Sequence, residues 1–200
     1  YWFGAGDYDT VHVVVADEAP PPEHFAAAEF ARLWERCTGY LPRVSATHAP
    51  GAANVWIGRA GCPYADRLKL DGLGPDGFHM RTLDFRKRYP VPYLDMKRPT
   101  RLPLRFRHLL IAGGAPRGTL YGVYEFFHDR FGVRWLTPFD THVPDAPAGI
   151  APVNKRYVPP LPYRDTNYWM FTQYPEFAVK HRLNGNSLMD IPEEMGGAIG

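Results

Sequence analysis

Hydrophobic and polar positions change period several times along the chain, and each change marks an element. Val11–Ala16, VHVVVA, is a β-branched run that predicts a buried strand. PPP at 20–22 ends the loop after it. Over Glu23–Thr38, Ala26, Phe30, Leu33 and Cys37 fall on one helical face with Trp34 beside them, and Gly39 stops the helix. Tyr40–Ser45 and Asn54–Gly58 predict strands around a polar turn at His48–Ala53. Gly61–Gly74 reads as loop, with one helical turn near Tyr64–Leu68. Asp76-Gly77 then opens Phe78–Leu83, whose alternation suits a half-buried strand.

The stretch Arg107–Pro138 is the centre of the pattern. His108–Ala112 is a short apolar run broken by Gly113-Gly114, and Pro116 sits where a first helical residue is expected. Leu120, Tyr124, Phe127 and Phe131 recur at i, i+4, i+7 and i+11, one apolar helix face. Gly132 suits a left-handed stop, and Val133–Leu136 resumes extended structure. A βαβ-like unit of this kind forms a core on which the earlier elements pack. The glycine turn is not a phosphate loop: Gly113-x4-Gly118 is followed by Thr119 rather than Lys, and Ala115 breaks G-x-G-x-x-G. Its glycines are read as letting the backbone turn sharply into the helix.

Three segments stand apart. Residues 84–107 form an insert between two strands that can pair. Arg86, Lys87, Arg88, Lys97, Arg98, Arg101, Arg105 and Arg107 face only Asp84 and Asp95, a local excess of six positive charges, with Tyr89 and Tyr93 interleaved. It is either a docking surface for an acidic glycan or partner, or a solvated hairpin extension, and the composition favours the extension. Leu102, Leu104 and Phe106 alternate, so its end joins the sheet. Phe139–Pro160 carries prolines at 144, 147, 152, 159 and 160 and reads as a linker. From Leu161, LPYRDTNYW predicts a strand, Pro175–Leu183 a short helix and Asn184–Met189 a second strand, which is how a (β/α)8 barrel begins.

Composition narrows the function. Apolar residues make up 45%, enough for a real core, and the 21 prolines and 19 glycines point to many turns rather than low complexity. A net charge of +2 gives no reason to expect nucleic acid, and no run of eighteen apolar residues spans a membrane. Residue 1 is Tyr with no signal-peptide pattern after it, and the chain stops at EEMGGAIG within an element, so a fragment of a longer protein is expected. Cys37 and Cys62 are either a disulfide or two buried thiols, and free thiols are favoured. The two serines, Ser45 and Ser187, lie in no G-x-S-x-G, and the eight histidines form neither H-E-x-x-H nor a Cys/His cluster, so no metal or cofactor is expected. Glu193-Glu194 tempts as a catalytic pair, but adjacent helical residues point about 100° apart. Asp190, Pro192 and the two Glu read instead as a helix start: cap, first-turn proline, negative charge on the dipole.

The phrase IAGGAPRGTLYGVYEFFHDRFGVRWLTP closely resembles the end of the N-terminal domain that precedes the barrel in alpha-glucuronidase-like and beta-hexosaminidase-like glycoside hydrolases, and is most similar to a group of large bacterial proteins of that kind. The resemblance implies an α/β (α+β) fold: a mixed sheet with two helices packed on one face over residues 1–138, the linker at 139–160, and at 161–200 the first strand-helix unit of a truncated (β/α)8 barrel. The RD dipeptide Arg164-Asp165 resembles the strand-one arginine with which such barrels grip sugar hydroxyls, or else it makes a salt bridge to a neighbouring strand. FAVKHRLN at 177–184 resembles the first helix and the Leu-Asn lead-in to strand two, so Asn184 bonds the sugar or holds the loop. Trp169, with Tyr168 and Trp135, is a candidate for sugar stacking, although large aromatics are more often core and Trp135 is expected to pack in the first domain. The acid and base carboxylates of these families come from later strands, beyond residue 200, so the catalytic residues are unknown here. The implied function is a non-catalytic N-terminal accessory region of a glycoside hydrolase acting on complex polysaccharide, inactive alone and completed in cis by the rest of the barrel. The alternative is a carbohydrate-binding or scaffolding module without hydrolase activity. Export to the periplasm or outside the cell is implied, with a cytoplasmic location left open.

Overall fold

In the computed structural model, residues 3–91, 100–185 and 188–199 are described, with the backbone alone at 3, 5, 85–91 and 100–106. The first elements are β1 (Phe3–Gly4), β2 (Val11–Val14), α1 (Pro21–Thr38), β3 (Arg43–Ser45) and β4 (Ala53–Ile57). The long strands β5 (Phe78–Val91) and β6 (Thr100–Gly113) follow, and then α2 (Gly118–Arg130). Four short strands come next, β7 (Arg134–Trp135), β8 (Thr141–His142), β9 (Gly149–Ile150) and β10 (Asn154–Tyr157). Two short helices, α3 (Trp169–Gln173) and α4 (Pro175–Lys180), lie in the last segment.

Six strands form one mixed sheet in the order β10-β5-β6-β4-β2-β3. β3, β2, β4 and β6 run parallel, and β5 and β10 add antiparallel. The period of two sorts the side chains. Val11, Val13, Val55, Ile57, Phe78, Met80, Leu109 and Ile111 join the cluster beneath α1 and α2. Val14, Trp56, Leu83, Leu110 and Ala112 face the other way, under Cys62, Leu68 and their neighbours in the 58–75 loop. The expected mixed sheet with two helices on one face is therefore present.

Local rules explain most boundaries. Gly39 ends α1 in the left-handed conformation, its N–H bonded to Glu35 O at 2.7 Å, and Gly132 has φ +72 just past α2. The three prolines end the loop, as expected, and α1 starts within them, two residues ahead of Glu23: Pro20 is its N-cap, and Pro21 and Pro22 lie in the first turn, where no N–H is needed. Pro116 is not helical; it follows a cis bond from Ala115, and α2 starts at Gly118. The glycine turn is explained by proximity rather than by unusual φ. A Cβ at Gly114 would lie 1.5 Å from Gly74 O, and one at Gly118 would lie 2.1 Å from Gly77 O. The 74–77 backbone passes through that space, bonded by Gly114 N to Gly77 O and by Gly118 N to Pro75 O.

Two expectations about larger segments change. Residues 139–160 are not a bare linker: β8 pairs with β7, β9 with β1, and β10 forms the outer strand of the main sheet against β5. The insert is a two-stranded ladder as far as Val91 and Thr100. Its candidate docking residues Arg86, Lys87, Arg88, Lys97, Arg98, Arg101 and Arg105 lie outside the described residues or side chains; Arg107 is ion-paired with Asp7.

Segment 161–199 packs on the helices. Phe177, Ala178, Val179, Met189, Ile191 and Met195 belong to the same cluster as Phe30, Trp34 and Tyr121. This explains why α2 is buried on all sides from Gly118 to Phe127 and not on the one predicted face. The predicted strands here are absent among the described residues, with one parallel bridge, Gly185 to Ile199, in their place. Trp169, expected in a strand, is the first residue of α3. Asp190 caps nothing: Glu193–Met195 is a single 3₁₀ turn with Pro192 at its N-cap, and both glutamates are exposed.

Candidate functional site

β10 delivers the chain to one end of the sheet, because Tyr157 pairs with Phe78 and the next residues run beside the 72–76 turn. Asp76 sits at the end of that turn, only 2% exposed. Its carboxylate takes three donors: Arg117 Nε on Oδ1 at 2.5 Å, Arg164 Nη2 on Oδ2 at 2.8 Å and Asn184 Nδ2 on Oδ2 at 2.5 Å. Arg117 stands at the start of α2, and Arg164 and Asn184 belong to the last segment, so the node joins three distant parts of the chain.

Two guanidinium groups on one carboxylate leave an excess positive charge in a buried place, which is costly unless further partners satisfy it. Backbone carbonyls do so. Arg117 Nη1 donates to Gly196 O and Gly197 O at 3.1 and 3.0 Å. Arg164 Nε donates to Arg182 O at 2.6 Å, and its Nη1 to Leu161 O at 2.6 Å and Pro162 O at 3.4 Å. Tyr121 closes one side by donating to Leu183 O at 3.1 Å. Burial pushes its phenol well above the ordinary value, the Asp76 charge adds to this, and Arg117 and Arg164 oppose it.

The node also aligns main chain. Arg164 N donates to Asn184 Oδ1 at 2.7 Å, and Asn184 N and Gly185 N both donate to Arg164 O, at 2.9 and 3.0 Å. Ile199 N donates to Asn184 O at 2.7 Å, beside the parallel bridge. Residues 164, 184–185 and 199 thus lie side by side. Asp165 is next to them, its Oδ2 accepting from Tyr163 OH at 2.7 Å and its Oδ1 from Thr166 N at 2.8 Å. A Cβ at Gly185 would lie 2.3 Å from Asp165 Cγ, so only glycine admits that contact.

Of the residues proposed from sequence, Arg164, Asp165 and Asn184 come together and Trp169 does not. Trp169 is 59% exposed and meets Tyr174 edge-on at 6.0 Å, while Trp135 packs against Tyr124 in the core as expected. Sequence reasoning missed Asp76, Arg117 and Tyr121. The one available signal was Arg117, a charged residue within the small-residue turn GGAPRG.

Chemically the node is a clamp. A carboxylate holding three donors gives up partners if it moves a proton, and Arg164 uses donors on all three of its nitrogens within the protein. Among the described residues no group of three His, Cys, Asp or Glu could hold a metal ion, and no helix is long and apolar enough to cross a membrane. Set against known proteins, the chain matches no family model and no curated protein.

Proposed function

We propose that the chain is the N-terminal accessory region of a glycoside hydrolase acting on complex polysaccharide, and that residues 161–199 open its (β/α)8 barrel. The observation that carries this reading is the side-by-side setting of residues 164, 184–185 and 199 by Asp76, Arg117 and Asn184. A barrel needs its first strands held parallel before later ones can close it, and here the leading unit does the holding. In this reading Arg164 and Asn184 position the strand ends. Asp165 and Trp169 are the residues left to meet sugar, and the catalytic carboxylates belong to later strands in cis. Action on an external polysaccharide would go with export from the cytoplasm, and action on a storage polysaccharide with a cytoplasmic location.

The test is a hydrolysis assay on chromogenic aryl glycosides. The 200-residue chain is expected to give no turnover. The chain continued with whatever its gene encodes after Gly200 is expected to turn over at least one glycoside. Silence from the continued protein, with binding of glycans retained, would favour the carbohydrate-binding module instead.

A further inference from the structure

A second place on the molecule has the makings of a sugar site, away from the Asp76 node. The β7–β8 hairpin and the α3–α4 junction enclose a cleft of about 280 Å³. Trp135, Tyr174 and Phe177 supply its apolar walls, and Thr137, Gln173, Glu176 and Lys180 its polar ones. Glu176 Oε1 and Lys180 Nζ are 2.5 Å apart, so the charged lining residues among those described cancel. The volume is slightly under the roughly 300–1,000 Å³ of drug-sized sites and suits a single ring.

At the rim stands Phe139, 75% exposed, its ring 4.9 Å from Tyr174 in an edge-on contact. Its turn is tightly bonded. Thr137 Oγ1 accepts from Phe139 N at 3.2 Å and Asp140 N at 2.9 Å, and Leu136 N and Thr137 N both donate to Asp140 O. A hydrophobic ring is thus held in water on a fixed support, and Trp169 also meets Tyr174 edge-on. Aromatic faces beside paired donors and acceptors, with no net charge, match the two sides of a pyranose: apolar C–H patches and vicinal hydroxyls.

We infer that this cleft binds one neutral pyranose ring of a glycan, stacked on Phe139 beside the Tyr174 wall and hydrogen-bonded by Gln173 and the Glu176–Lys180 pair. The inference rests on the glycan-directed reading above, but uses none of the residues at the node.

The test is saturation-transfer NMR and thermal shift on the intact chain, with the methyl glycosides of glucose, galactose, mannose and xylose and with methyl glucuronoside as the charged comparator. At least one neutral glycoside should bind in preference to the glucuronoside. Phe139→Ala and Gln173→Ala, both at exposed positions, should each weaken it, the first by about tenfold, the scale of one lost aromatic contact, the second by about fivefold, the scale of one lost hydrogen bond. Binding that survives both cleft variants but is lost in Asp165→Asn overturns the cleft and moves the ligand to the barrel end. Preference for the glucuronoside, or no binding by any of the four, also overturns it, and neither result touches the hydrolysis assay on the continued protein.

Discussion

Asp76 shows how one side chain can govern a join between segments. Asp76→Asn keeps the shape but turns an amide N–H₂ toward donors. One carboxylate fewer also leaves the buried Arg117 and the partly buried Arg164 without a counter-charge. We expect a loss of about 3–5 kcal/mol, the usual cost of breaking a buried ion pair on one side, read from urea unfolding midpoints. An unchanged midpoint would show that the node is not structural. The cysteines offer a second check. Cys37 packs in the helix-side core and Cys62 in the loop-side core, on opposite faces of the sheet, so they cannot be bonded. Burial pushes both thiols up to about 11. Native protein should therefore react slowly with a thiol reagent at pH 8, and both thiols should react at once in denaturant. Free thiols, the favoured of the two readings, are what the structure shows. Asp76 was not visible from sequence, because nothing local distinguishes a turn aspartate from a buried one whose partners lie 41, 88 and 108 residues away.

Elements were legible wherever one period persisted. β2, β4, α1 and the core of α2 fall where alternation or helical spacing put them, because local pattern and burial agree there. The misses share a cause. β10 and the β1–β9 pair draw their existence from distant partners, β8 is a two-residue strand paired with the predicted β7, and segment 161–169 has strand-like composition without a ladder to join. The glycine turn separates two reasons for glycine. Gly114→Ala drives a methyl group into the Gly74 carbonyl, backbone against backbone, and should cost more than about 3 kcal/mol, as disruptive core changes do. Gly39→Ala, at φ +82 with open space around it, meets only conformational strain, about 1 kcal/mol. Thermal unfolding of the pair should rank them in that order; equal losses would mean the turn yields.

Across the whole molecule, the last segment contributes side chains to the same core as the sheet and helices, so the chain should unfold in a single transition by circular dichroism and by tryptophan fluorescence. Two separated transitions would show that residues 161–199 melt alone. Acid should weaken the whole structure. Burial lowers His79, His108 and His181 below their ordinary value of 6.5. His79 also accepts from Lys69 N at Nδ1, 2.7 Å, which a protonated ring cannot do. The unfolded state therefore binds protons first as pH falls. Stability from these groups is complete above about 6.5 and is lost below it as pH descends through the lowered native values. A melting temperature that holds or rises from pH 7 to pH 5 would contradict this. One property of the interlock reaches further. Arg117 and Arg164 grasp peptide oxygens at Leu161, Pro162, Arg182, Gly196 and Gly197, and peptide oxygens are common to every amino acid. Recognition at these oxygens depends on the route of the tail and not on its side chains, while the buried apolar positions and the glycines at 185 and 196 fix its spelling elsewhere. A foreign continuation that keeps Arg164, Asn184, Gly185, Gly196 and the apolar core positions should seat on this scaffold, which makes the module a base for chimaeras.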